Sequence, residues 1–333
     1  MHRLHFNENP YGVSEIIKEK ALREIQNLQL QWYPDREAAE LREALADYAG
    51  VSSDRGVVAN GSDDILQMVL MAHLDEIDRV VIPVPTFGMY RKTAEILGLQ
   101  VSEVPLDENS QLDVPGLKKE IDRGPAAVFI CHPNNPTGNY FSSEDIEALI
   151  NTEAPLVIID EAYFEFGGRT SLERTENDPR VVVVRTLSKA FGLAGVRVGY
   201  LLGHPDAVQE IEDIRQPYNM SASSQVFAKV AVQNAQAQLM TVEKMIKQRE
   251  VMRTRLSEIP GLNPLPSVTN FFLVKVDQQE LGLTAEKLQK RLKEQGVWVR
   301  FLTGVPDCIR VSVGLPGQVD DLIGEINKIR NKE

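Results

Sequence analysis

From residue 57 to residue 184 the chain alternates two hydrophobic patterns. Short solid apolar runs come first: Val57-Val58-Ala59, Val80-Val81-Ile82, Val101 to Val104, Ala126 to Cys131, Leu156 to Ile159 and Val181 to Val184. Runs rich in Val and Ile, without polar alternation, are what strands covered on both faces show. Between them the spacing is helical: Ile65 to His73, a stretch reaching about Leu97, and one opened by Ser142 with Asp145 in capping-box register. Strands alternating with helices predict an α/β fold, a mainly parallel sheet with helices on both faces. Val196 to Leu202 reads as a further strand. Ahead of this region, Ser14 caps a helix to about Leu28 with Ile17, Ala21, Leu22 and Ile25 on one face, and a second helix, about Glu37 to Tyr48, stops at Gly50.

The pattern changes after a weakly charged loop at residues 216–224. Gln225 to about Ile259 is longer than usual for a globular helix, so it reads as two helices or one bent rod, closed by Pro260-Gly261. Strand Phe271–Val276, helix Thr284–Gln295, strands Val297–Phe301 and Ile309–Val313 and helix Gln318–Arg330 then predict a smaller α/β domain. The expected division is 31–222 for a large cofactor-binding domain, with 1–30 and 223–333 forming the small one.

Composition narrows the function. A chain of 333 residues is long enough for two domains, and a net charge of -12 argues against nucleic acid and anionic membrane as partners. No apolar run reaches the ~18 residues of a spanning helix. The start lacks the apolar core of a signal peptide, so the expected compartment is the cytoplasm. Two cysteines, Cys131 and Cys308, exclude a disulfide framework, and five scattered histidines give no metal pair, so no metal is expected.

In parallel sheets ligands sit beyond the carboxyl ends of the strands. Asn60 to Asp63, Phe87, Asn135, Asp160 and Lys189 all follow such ends. Lys189 stands among Ser188, Ala190, Phe191 and Gly192, surroundings that desolvate an amine and favour the free base a Schiff-base lysine needs. Asp160 closes an apolar strand, where a carboxylate is costly unless it meets a cation such as a protonated pyridine nitrogen. Asn135 and Tyr163 are donors for a phenolate oxygen, and Phe87 is a flat face for a ring. Gly61 and Ser62 open a helix, whose free N–H groups suit a phosphate, and Arg197 adds a guanidinium. Asp63 joins this cofactor-facing turn, although its side chain, like that of Asp64, is expected to cap the helix rather than face a phosphate. Singly, each feature is a turn, a cap or a core residue. Jointly, ring, phenolate, phosphate and aldehyde describe pyridoxal 5′-phosphate.

On Asn7–Gly12, Tyr33-Pro34, Asn60–Asp63, Pro85–Tyr90, Pro133–Gly138, Asp160–Tyr163, Thr186–Gly199, Tyr218 and Ile309–Gly314, the chain resembles the fold-type I pyridoxal-phosphate aminotransferases, and within them the histidinol-phosphate aminotransferases. The resemblance implies that Lys189, Asp160 and Tyr163 are the catalytic set. It adds Thr186 and Ser188 to the phosphate site, with Tyr33 reaching in from a partner subunit of a homodimer. It implies Tyr11, Asn135, Arg300, Arg310 and a partner's Tyr218 around the substrate. The partners are then a small-molecule amino donor and a keto acid. Only six residues precede Asn7, so the arm that family members carry ahead of this stretch is the part of the resemblance not carried over. Three rivals share the motifs to different degrees: an aromatic amino-acid aminotransferase, a threonine-phosphate decarboxylase on the same scaffold, and a binding module without turnover.

Overall fold

The computed structural model describes residues 1–331. In it the apolar runs pair into a seven-stranded sheet in the order Gly56–Ala59, Gly199–Leu202, Val181–Thr186, Leu156–Asp160, Ala126–Cys131, Arg79–Val84, Gln100–Pro105. Neighbours pair parallel except at Gly199–Leu202, which is antiparallel to both its partners. That strand was expected from Val196. It begins three residues later because Arg197 takes a left-handed backbone with φ 57°, which turns the chain back on itself. At Gly199 the returning strand passes so close to the Gly61–Ser62 turn that a Cβ would meet the Ser62 nitrogen. The lysine loop and the helix-opening turn are thereby held side by side.

The two-residue period of a strand sends neighbouring apolar residues to opposite faces. Ile82, Phe129, Ile158 and Val182 pack under the helices Ser62–Ala72, Met89–Ile96 and Pro205–Ile214. Val81, Val128, Ile159 and Val183 pack under Val114–Ile121 and Ser143–Ile150. A third cluster joins Val58, Tyr200 and Leu202 to helices Glu15–Ile25, Ala39–Ala49 and Ala222–Gln233 and to the first half of Ala235–Ser257. The fold is therefore α/β with a mainly parallel sheet covered on both faces.

The later part of the chain builds a four-stranded antiparallel sheet in the order Arg300–Phe301, Cys308–Ser312, Phe271–Val276, Leu262–Pro264. Its own core unites Phe272, Val274, Ile309 and Val311 with helices Ala285–Glu294 and Pro316–Arg330 and with Met252 and Leu256 of the long helix. The long helical stretch is two helices, broken at Asn234, whose side chain donates back to the Val230 carbonyl. The expected strand Val297–Phe301 is likewise two pieces. Val297–Trp298 pairs in parallel with His2–Arg3, and Arg300–Phe301 pairs with Cys308–Ser312. Ser14 occupies the N-cap position of the first helix without a side-chain cap bond, and that helix ends at Ile25 rather than near Leu28. Ser142 does cap its helix, accepting from the Asp145 N–H at 3.0 Å. Among the described residues no helix is long and apolar enough to cross a membrane.

Candidate active site

A cavity of about 1070 Å³ lies at the carboxyl edge of the parallel strands. The large sheet contributes Asn135, Asp160, Thr186, Ser188 and Lys189 to its wall, and the small sheet contributes Arg300 and Arg310. Phe6, Asn7 and Glu8, from the segment running between the two, complete it.

Asp160 is 3% exposed at the end of its strand. Its Oδ2 accepts from the Tyr90 hydroxyl at 2.7 Å and its Oδ1 from the Ala162 N–H at 3.0 Å. Burial raises its carboxyl to about 6, against the pull of those two donors. Among the described residues no cation bonds it directly, so the site holds a buried carboxylate that a protonated ring nitrogen would satisfy.

Tyr163 and Asn135 lie beside it. The Tyr163 hydroxyl accepts from Asn135 Nδ2 at 3.3 Å and from Asn7 Nδ2 at 3.0 Å. Asn135 Oδ1 in turn accepts from Arg310 Nη1 at 2.6 Å. Burial pushes the Tyr163 phenol well above its usual range, so it is a neutral donor at working pH.

Lys189 Nζ donates to the Phe6 carbonyl at 3.2 Å. Burial first, and the Arg310 charge second, lower the amine to about 8, with Asp63, Glu8 and Asp160 opposing. A useful fraction of free amine is then present near neutral pH, as the small, apolar loop led one to expect.

The Gly61–Ser62 turn, Thr186, Ser188 and Arg197 form one corner. Gly61 has φ 98°, a backbone that favours glycine, and a Cβ there would also push the Arg197 guanidinium aside. Thr186 Oγ1 accepts from the Ser188 N–H at 3.1 Å and lies 3.0 Å from the Ser188 hydroxyl. The helix Ser62–Ala72 presents its N-terminus here. This set, N–H groups with hydroxyls and one guanidinium, suits a phosphate. Asp63 departs from expectation: its side chain does not cap the helix but lines the cavity and pairs with Arg197 at 3.4 Å. Asp64 instead accepts from the Asn60 N–H at 3.0 Å.

Phe87 lines the cavity edge-on to Tyr90, ring centres 5.5 Å apart. Arg310 is buried, with Nη2 donating to the His5 carbonyl at 3.0 Å, its guanidinium 5.3 Å from the Phe271 ring and its Nε without a partner. Arg300 stands opposite it in strand register and is exposed on the same wall. Four expected residues do not line the cavity of this chain, Gly61 standing just behind Ser62 and the other three lying farther off. Tyr11 packs on the helix cluster near Lys244. Tyr33 and Tyr218 stack on each other at 4.6 Å on the outer surface, 81% and 43% exposed. Two residues bonded to the site's side chains were not singled out from sequence: Asn7, which donates to Tyr163, and Tyr90, which donates to Asp160. Both lie in stretches that carried the resemblance, but their partners are remote in the chain.

The aminotransferase class I and II family profile matches residues 1–326. Histidinol-phosphate aminotransferase 2 of Nitrosococcus oceani is 39% identical over 318 residues, 94% of this chain and 87% of that one. Histidinol-phosphate aminotransferase of Hydrogenobaculum sp. is 37% identical over 332 residues, 98% of this chain and 92% of its own. Among solved structures, histidinol-phosphate aminotransferase from Sinorhizobium meliloti in complex with pyridoxal-5′-phosphate superposes with a TM-score of 0.89 at 26% identity, covering 99% of this chain and 91% of that one.

Proposed function

The chain belongs to the class I and II aminotransferases, and from that premise we propose that it moves an amino group between glutamate and imidazole-acetol phosphate, giving L-histidinol phosphate and 2-oxoglutarate, with pyridoxal 5′-phosphate as cofactor. The observation that carries the reading is a single cavity in which Lys189 and Asp160 share walls with two guanidinium groups, Arg300 and Arg310. The amine and the carboxylate suit the chemistry, and the two cations suit glutamate, with an anion at each end, and a partner substrate with one phosphate.

Pyridoxal phosphate, when bound, supplies an aldehyde that condenses with amines and a ring that draws electrons from the substrate's α-carbon. Asp160 would keep a proton on the ring nitrogen. Asn135 and Tyr163 would donate to the ring oxygen, and Phe87 would cover a ring face. Gly61, Ser62, Thr186, Ser188 and Arg197 would hold the phosphate, with Asp63 contributing its backbone N–H and orienting Arg197. Lys189 Nζ, poised at about 8, takes the α-proton. Arg310 would bind the α-carboxylate of glutamate and the phosphate ester of the other substrate, and Arg300 would meet the distal γ-carboxylate of glutamate or the imidazole end of the other substrate.

The reading extends to organisation. The proposed division is 31–222 for the cofactor site and 1–30 with 223–333 for the smaller part; the separate core around Phe272 and Ile309 supports it for Leu4 and the residues from Met252 onward, while helices Glu15–Ile25 and Ala222–Gln233 pack on the large sheet. The protein acts in the cytoplasm as a homodimer. The outward-facing Tyr33 and Tyr218, with Leu30 and Trp32 also exposed, support a second subunit there whose cavity they complete. Tyr11 is kept as a substrate contact on the resemblance alone.

Incubating the purified protein with histidinol phosphate and 2-oxoglutarate should yield glutamate, with phenylalanine a much poorer donor. Faster turnover of phenylalanine, or carbon dioxide released from threonine phosphate without a keto acid, overturns the assignment.

A further inference from the structure

Asn7 is held on every side. Its backbone is left-handed, φ 55°, a region Asn tolerates better than most residues. Its N–H donates to Ser312 Oγ at 2.9 Å, and its carbonyl accepts from Asn270 Nδ2 at 2.8 Å. Its side-chain Oδ1 accepts from the Ser312 hydroxyl at 3.1 Å. The amide is thus oriented by the hydrogen that Ser312 donates to Oδ1. Oδ1 is engaged by Ser312, and the NH2 group faces the Tyr163 hydroxyl at 3.0 Å.

A phenol oxygen offers two lone pairs and one hydrogen. Asn7 fills one lone pair of Tyr163 and Asn135 the other. Both neighbours present N–H groups, so neither can accept the hydroxyl's own hydrogen. Tyr163 lines the cavity, which is the direction left for that hydrogen.

We infer that Asn7 is a positioning residue: by filling one lone pair of Tyr163 it makes that hydroxyl an obligatory donor to the ring oxygen of the cofactor. The inference rests on the pyridoxal-phosphate reading. It also explains an amide at this position, since a carboxylate of the same shape would accept from Tyr163 and draw its hydrogen away from the cavity. A donor at the ring oxygen withdraws charge from it. Without that donor the oxygen is more negative and holds a nearby proton more strongly.

The test is a double-mutant cycle on cofactor-loaded protein, comparing wild type, Asn7→Asp, Asn7→Ala, Tyr163→Phe and the two Asn7 changes in the Tyr163→Phe background. The readouts are the acid–base midpoint of the bound cofactor's visible band and the cofactor Kd by fluorescence titration. Asn7→Asp should raise the midpoint by about one pH unit and weaken binding roughly tenfold, the effect of one lost hydrogen bond. Tyr163→Phe should do the same. Asn7→Ala, which removes a donor but adds no competing acceptor, should shift less. In the Tyr163→Phe background neither Asn7 change should move the midpoint further, because its route is gone. An unchanged midpoint in Asn7→Asp, or shifts that simply add, overturns the inference; the additive result means the new charge acts directly. If Asn7→Asp fails to fold, the Asn7→Ala cycle gives the same decision, an additive shift again being the overturning one. Failure of the wild type to bind the cofactor at all would overturn the functional reading itself.

Discussion

At the residue scale the site stores electrostatic cost that the ligand relieves. Asp160 titrates at about 6 in the folded protein and near 3.8 when unfolded, because burial disfavours its charge. Between those values the folded state binds the extra proton, so stability falls as pH rises from about 3.8 to about 6, and the full cost stands above that. Asp160→Asn should therefore stabilise the cofactor-free protein by about 1–3 kcal/mol at pH 7, a gain that fades as pH falls through 6 and is gone below about 4. Thermal melting of both proteins across that range checks it. The same change should lower transamination by roughly 10²–10³-fold, the worth of one well-placed electrostatic partner. The arginines give a second residue-scale expectation. Removing one side of a desolvated charge pair costs ~2–5 kcal/mol, so Arg310→Ala should cripple both half-reactions. Arg300→Ala should harm glutamate, whose γ-carboxylate is the distal anion, far more than histidinol phosphate or phenylalanine, whose far ends carry no anion. Catalytic efficiencies for the three donors decide it, and equal losses would remove Arg300 from the distal site.

At the element scale the site depends on how two neighbouring strands end. Asp160 and Thr186 close adjacent parallel strands. Immediately beside them, Glu161 and Arg185 form an ion pair at 2.9 Å, with 0% and 3% of their side chains exposed. Arg185 also lies 3.8 Å from the Phe164 ring and donates to Thr170, tying the loop after Tyr163 to the strand before Lys189. Breaking such a pair from one side leaves a bare buried charge, a cost of about 3–5 kcal/mol. Arg185→Met should lower the denaturant midpoint accordingly, and adding Glu161→Gln should restore part of the loss. These strands were legible because solid Val and Ile runs have one good reading. The direction of Gly199–Leu202 was not, since Gly-Tyr-Leu-Leu reads the same parallel or antiparallel. The helix Val114–Ile121 was hidden by Pro115 and Gly116 at its start, although its cap is plain in the structure, Asp113 accepting from the Gly116 N–H. Strand-end residues such as Asp160 and Lys189 could be read from position alone. Asn7 and Tyr90 could not, because each acts through a hydrogen bond to a residue 156 and 70 positions away.

At the scale of the whole molecule, a site assembled by one chain differs from one completed by two. Tyr33 and Tyr218 belong to the motifs that gave the resemblance, yet they lie on the outer surface, stacked on each other away from their own cavity. Large exposed aromatics beside Leu30 and Trp32 are the kind of patch that a subunit contact covers. In a two-fold dimer the contact is self-complementary, so each Tyr33 would serve the other subunit's Lys189. This makes a sharp prediction. Lys189→Ala kills the cavity of its own chain, and Tyr33→Ala weakens the cavity of the partner. When the two variants are unfolded together, refolded and reloaded with cofactor, half of the dimers are mixed, and each mixed dimer has one cavity with both Lys189 and Tyr33 intact. Activity should recover to about a quarter of wild type for random pairing of a two-fold dimer. If Tyr33 serves its own chain, every cavity in the mixture lacks one residue or the other. Activity would then stay at the mean of the two parents, and the shared cavity would be ruled out whatever the size of the dimer.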